Sequence, residues 1–231
     1  MRVCSKKYLV ALLSASLFAI TAPVFALEKG DIVLRLGAAS VQPDDSSSLV
    51  STTATGPLAG TAVQVGDEVQ LGVNLLYMMS DNIGLELLAA TPFEHDLSIS
   101  GLGTYGFSTT KLGSTKHLPP TISAVYYFGP KRAVLRPYLG LGVNYTVFFE
   151  ESLSQDARSE LSARSLQLDN SLGLSIYGGF DWELNDHWLI NASMRKIDID
   201  TKGSLQSALG KIKVDVDIDP YVYMLSVGYK F

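Results

Sequence analysis

The residues of this 231-residue chain with types and spacing suited to chemistry are few, and they are widely separated. His95 and His117 flank one segment and could form a metal pair through their imidazole nitrogens; His187 sits far away in a turn-like Asn185-Asp186-His187. Asp215, Asp217 and Asp219 have the spacing of a calcium loop. That loop needs glycine where Pro220 stands and a bidentate glutamate where Ser226 stands, so strand alternation accounts for the aspartates better. Gly101, Gly103 and Gly106 fit dinucleotide spacing, but no helix pattern follows them. Asn144-Tyr145-Thr146 fits a glycosylation sequon inside a strand-like segment. No cofactor and no metal is expected from these patterns.

The elements that position these residues are strands. Val69, Leu71, Val73, Leu75 and Tyr77 alternate with small or polar neighbours, as do Leu139, Leu141, Val143, Tyr145 and Val147, and Leu172, Leu174 and Ile176. Such a strand could line a soluble sandwich or face lipid from a barrel. Three features favour the barrel. The runs match the roughly 9–11 residues a tilted membrane strand needs. Aromatics collect at strand ends (Tyr77, Tyr126, Phe128, Trp182, Trp188, Phe148, Phe149). Tight turns near 80–82, 129–133 and 185–187 alternate with long segments at 42–66, 96–117, 151–165 and 201–211. Eight strands are predicted, near 29–41, 67–80, 83–95, 118–129, 134–150, 166–184, 188–200 and 212–231, with a short helix in 150–164. The fold class is therefore all-β, an eight-stranded antiparallel transmembrane barrel.

Residues 1–26 read as a cleaved secretory signal: Arg2, Lys6 and Lys7, an apolar run over 8–20, then Val24-Phe25-Ala26. Residues 27–231 form the barrel. Removing those three from the 18 basic residues leaves 15 against 23 acidic ones, a balance that argues against a nucleic-acid partner. The single cysteine, Cys4, falls in the signal, so no disulfide or thiolate chemistry is expected of the barrel. No run near 18 apolar residues follows, which excludes a helical membrane protein. The last strand alternates up to Tyr229 and Phe231, a terminus that resembles the signal read by the outer-membrane assembly machinery.

Pairing opposite charges in the last hairpin predicts a register with Asp200 facing Lys211, Asp198 facing Lys213 and Lys196 facing Asp215. Trp188, Ile190, Ala192 and Met194 then face lipid, the outside turns charged above them, and Ile197, Ile199, Ile212, Val214 and Val216 line an apolar upper lumen. The alternative is a bulge at Asp219-Pro220 that returns the valines to the outside. Lower down, Arg35, Glu86, Asp181 and Arg195 point inward, as a packed plug or as an ion pathway. Pro92 opposes Pro119, beside Pro120. Prolines donate no ladder bond, so these three either weaken the wall or end the strands at the rim.

Several segments resemble one family. The stretch from Leu85-Glu86-Leu87-Leu88-Ala89-Ala90-Thr91-Pro92-Phe93-Glu94-His95, then His117-Leu118-Pro119-Pro120 with Tyr126-Tyr127-Phe128, Pro137-Tyr138, Asp198-Ile199-Asp200-Thr201 and 214–220 are similar to the OmpW family, over nearly all of the barrel. The resemblance implies a barrel that passes small, mainly hydrophobic molecules and releases them sideways into outer-membrane lipid through a lateral gate at Pro92, Pro119 and Pro120. Two rival classes are a structural or adhesive barrel acting through its loops and a lipid-modifying barrel enzyme. The second lacks a Ser, His and Asp grouping near one rim.

Overall fold

The computed structural model describes residues 27–207 and 210–231; the signal segment lies outside them. Eight strands form the wall: β1 (Ile32–Gln42), β2 (Glu68–Met78), β3 (Ile83–Ala90), β4 (Thr121–Tyr127), β5 (Leu135–Leu153), β6 (Ser171–Glu183), β7 (Trp188–Ile197) and β8 (Tyr221–Lys230). Each pairs antiparallel with the next, and β8 pairs back onto β1 from Val33↔Lys230 to Gln42↔Tyr221, so the sheet has no free edge at this level. An open edge in hydrocarbon would leave unpaired backbone groups at a cost of several kcal/mol each.

The two faces of the sheet decide between sandwich and barrel. Leu174 is 69% exposed and Leu225 63%, whereas Asp181 is 0% exposed. The greasy residues point out and the polar ones in, the inverse of a water-soluble core. Tyr126–Phe128, Trp188–Tyr229 and Tyr229–Phe231 pack edge to face around one rim. Phe148, expected in such a girdle, is instead buried inside, because it lies above the apolar band where the two faces exchange character.

Above that band the wall continues as two smaller sheets. One joins strands Ala62–Val65, Phe93–Ser100 and Lys111–Leu118 to the upper part of β5. The other joins Ser165–Leu168, Asp200–Ser207 and Gly210–Asp217 to short strands Ser51–Thr52 and Gly56–Pro57. Segments expected to be loops at 96–117 and 201–211 thus carry strands. Their alternation runs opposite to that of the wall: Leu97, Ile99 and Leu112 are buried, and Asp96 and Lys111 are outside, joined by a 2.8 Å ion pair. A reading tuned to lipid-facing strands passes over them. A short helix, Gln155–Glu160, lies where one was expected, with the Ser154 hydroxyl accepting from the Ala157 N–H at 3.0 Å.

The register of the last hairpin corrects the charge-pairing expectation. Asp200 faces Asp217, Lys202 faces Asp215, Lys213 faces Ser204 and Lys211 faces Gln206. This register is continuous with the wall below, where Lys196 faces Tyr221, and no bulge at Asp219-Pro220 shifts the phase. It also sets Leu205 opposite Ile212, both buried. Burying a leucine is worth about 1.5–3 kcal/mol, more than an exposed charge pair offers, so packing overrides charge matching. The pairing parity is unchanged, and the inward face is the one expected. In the oxidised barrel, Lys202→Cys with Asp215→Cys should form a disulfide, whereas Asp200→Cys with Lys211→Cys should stay reduced, since residue 211 sits six positions, roughly 20 Å, from the true partner of Asp200. A thiol assay and a gel shift on the two pairs check this.

Candidate functional site

The lower lumen is filled by a buried charge network. β1 supplies Arg35, β3 Glu86, β6 Asp181 and β7 Arg195, each placed inward by strand parity. Arg35 Nη1 donates to Glu86 Oε2 at 3.2 Å and to Asn74 Oδ1 at 3.0 Å. Its Nη2 donates to Asp181 Oδ2 and to the Tyr127 hydroxyl, both at 2.6 Å. Arg195 Nη2 donates to Glu86 Oε1 at 2.6 Å, and its Nη1 donates to the Ser123 and Ser175 hydroxyls. Two cations thus meet two anions with most hydrogen-bonding capacity filled, the condition for burying charge.

Aromatic and amide groups missed in the sequence complete the layer. Tyr127 donates to Asp181 Oδ2 at 2.8 Å, and Asn191 Nδ2 bridges Asp181 Oδ1 and the Tyr138 hydroxyl. The Arg195 guanidinium lies 3.7 Å from the Tyr177 ring centre. Tyr177 faces Gly140 across the ladder, and a Cβ at Gly140 would collide with its ring, so glycine makes the room. Arg136, fully buried, donates to the carbonyls of Leu27 and Asp81 nearer the other rim. Inward parity on β5 and β6 could have pointed to Arg136, Tyr138 and Tyr177.

Directly above, the lumen turns apolar. Ile197 is buried on β7 between Arg195 and Ile199, and Ile199, Ile212, Val214 and Val216 line a cavity of about 70 Å³ together with Phe148 and Leu205. Two histidines face the same space. The His95 and His117 rings stack at 4.9 Å, flanked by Phe93 at 5.4 Å from His117 and Phe148 at 5.7 Å. Burial pushes the His95 imidazole below its ordinary range; burial, then the neighbouring His95, pushes His117 down to about 3. Both are neutral at physiological pH. Among the described residues no third metal-ligating side chain joins them; the acidic group that does gather, Asp198, Asp200 and Asp219, lies apart. Burial, with the carboxylates of Asp198 and Asp217, raises the pKa of Asp200.

The wall beside the cavity has a break. The β3–β4 ladder ends at Leu88↔Thr121, and pairing resumes at Phe93↔His117. No ladder pair joins residues 89–92 to 118–120, which include Pro92, Pro119 and Pro120. Each flank is held from its other side: Ala89 and Ala90 pair with Val73 and Gly72, the Thr91 N–H donates to Leu71, the Pro119 carbonyl accepts from Asn144 Nδ2, and the Pro120 carbonyl accepts from the Tyr145 N–H. Exposed Leu87 and Ile122 sit just below, so the break lies at the upper edge of the lipid-facing band.

Glu86 is the only carboxylate bonded to Arg195 among the described residues. Glu86→Leu should therefore lower the unfolding free energy in lipid vesicles by about 3–5 kcal/mol. The double variant Glu86→Leu/Arg195→Met should recover part of that loss, because Arg35 keeps Asp181. Urea titrations of the three proteins measure the cycle.

The OmpW family profile matches residues 28–231. The chain is 43% identical over 231 residues to Outer membrane protein W of Vibrio cholerae, covering 99% of this chain and 98% of that one. It superposes on the crystal structure of the outer membrane protein OprG from Pseudomonas aeruginosa with a TM-score of 0.84 and 42% identity, over 89% of this chain and 98% of that one. A more distant relative, 26% identical over 93% of this chain and 95% of its own, is the Dibenzothiophene metabolism operon protein DoxH of a Pseudomonas species. With its closed eight-stranded wall, the chain is an outer-membrane β-barrel and belongs to the OmpW family.

Proposed function

We propose that the protein admits small, mainly hydrophobic molecules from outside into its apolar upper lumen and releases them sideways into outer-membrane lipid. The observation that carries this reading is vertical order: an apolar cavity lies on a buried charged layer, and the unpaired stretch of wall stands beside the cavity. A greasy solute moving straight down would have to break hydrogen-bonded ion pairs that cost several kcal/mol to disrupt. Moving sideways it meets a wall in which Pro92 offers no ladder donor, with the hydrocarbon band immediately below. The name of the dibenzothiophene-operon relative fits a cargo of this kind. In this reading Ile199, Ile212, Val214 and Val216 form the receiving surface, with Ile197 packed outside the cavity lining, Arg35, Glu86, Asp181 and Arg195 the stop, and Pro92, Pro119 and Pro120 the exit. The exposed Phe231, with Tyr229 packed against it, serves the assembly machinery before any transport begins.

Liposomes carrying the barrel should take up an apolar solute faster than a polar one of equal size. Pro92→Ala supplies the missing donor and should slow apolar uptake by about fivefold, the worth of one net hydrogen bond. Equal rates for Pro92→Ala and the parent barrel would remove the exit from this wall.

A further inference from the structure

The chain that leads into β1 does not trail from the barrel. Leu27 is fully buried at the lower mouth, in one apolar cluster with Leu76, Met78, Tyr127 and Leu189. The residues after it are tied down: the Glu28 N–H donates to Asp31 Oδ2 at 2.8 Å, the Lys29 N–H to Asp81 Oδ1 at 3.2 Å, and the Gly30 N–H to the Met78 carbonyl at 2.8 Å. The Leu27 carbonyl accepts from Arg136 Nη1 at 3.1 Å. Its N–H lies against Glu183, which ends β6 and pairs across the ladder with Leu189 of the same cluster. Glu183 is anomalous. Both carboxylate oxygens are buried, and neither has a hydrogen-bond partner of full geometry. Arg136 and Lys230 act on it electrostatically, but neither donates to it. Arg136 directs its two Nη atoms to the carbonyls of Leu27 and Asp81 instead. A buried carboxylate left in this way is costly, and one neutral amide N–H does not offset that cost.

We propose that the processed amino terminus is the stopper of the periplasmic mouth, with the α-ammonium of Leu27 as the counter-ion that Glu183 lacks. Hydrolysis of the Ala26–Leu27 peptide bond consumes one water, leaves a carboxylate on Ala26 and leaves an ammonium on Leu27. The carbonyl carbon of Ala26 departs from the Leu27 nitrogen, and two protons take its place. The nitrogen that faces Glu183 as an amide then carries a positive charge and three N–H donors. No outside group has to reach the buried oxygens, because this nitrogen already lies against them. The stopper is continuous with the charge layer above it: the Arg136 guanidinium lies 5.0 Å from the Tyr127 ring centre, and the Tyr127 hydroxyl donates to Asp181. The short turns mark this end as periplasmic, so the lumen is closed there by the terminus as well as by the ion pairs. The inference is independent of the uptake reading and rests on cleavage after Ala26. A chain beginning one residue earlier would carry its charge past Glu183 and leave the carboxylate unpaired.

The test begins with the amino-terminal sequence of the barrel exported to the outer membrane, which should read Leu-Glu-Lys-Gly-Asp. A cycle of urea titrations in lipid vesicles follows. The exported barrel is compared with one that carries an extra methionine before Leu27, which turns the Leu27 nitrogen back into an amide; both are refolded from urea. The extension should lower the folding equilibrium constant about thirtyfold, the worth of a hydrogen bond to a charged group. In Glu183→Gln the same extension should change it by less than about twofold. Solid-state NMR of the exported barrel, with ¹⁵N-leucine and ¹³C-glutamate, should show a contact between the Leu27 amine nitrogen and Glu183 Cδ. That contact decides the matter even if Glu183→Gln folds poorly. A first residue other than Leu27, absence of the contact, or an equal loss from the extension in both backgrounds would overturn the ion pair while leaving hydrophobic uptake standing.

Discussion

Backbone hydrogen bonding in hydrocarbon is the constraint on which this architecture rests. Lipid offers no partner to a peptide N–H or C=O, so the sheet must close, and here it closes through the ten-pair ladder between the first and last wall strands. Closure fixes the parity of every strand, and parity decides what is inside. Once Leu225 faces lipid, Ser226 must face the lumen. The charge network follows from the same rule, since Arg35, Glu86, Asp181 and Arg195 come from four different strands and meet only because all four are held at compatible heights.

The wall outlasts the bilayer, and its faces change character with height. Within the hydrocarbon band the inside is polar; above it, with water outside, the inside is apolar. The strand direction never changes. The sequence alternation simply trades places, as Arg195 inward gives way to Ile197 and Ile199 inward, while Met194 outward gives way to Asp198 and Asp200 outward. A polar layer and a greasy chamber are thereby stacked in one tube.

Much of this was legible from the residues. Alternation located the eight wall strands and put Arg35, Glu86, Asp181 and Arg195 inside, and a charge-pairing register with the wrong partners but the right parity put Ile197, Ile199, Ile212, Val214 and Val216 inside. The register of the last hairpin was not legible, because opposite charges suggested partners six positions away from those that bury Leu205 against Ile212. Exposed charge is a weak guide where a buried leucine competes. The parts of the strands Phe93–Ser100 and Lys111–Leu118 that fall in 96–117 went unseen because their Gly, Ser, Thr and Lys content suits a loop in a lipid-facing pattern. The nearness of His95 and His117 was legible, since they flank one segment and could form a metal pair; their stacking was not, because it depends on the pairing of those two strands.

The break beside Pro92 differs from a frayed strand end. Residues 89–91 keep their bonds toward β2, and residues 119–120 keep theirs toward β5. Drawing the two lips apart therefore ruptures no rung on either side, and the hoop of strands below stays intact at Leu88↔Thr121. A slit built in this way can flex in width while the tube around it stays rigid, as a buttonhole does in woven cloth.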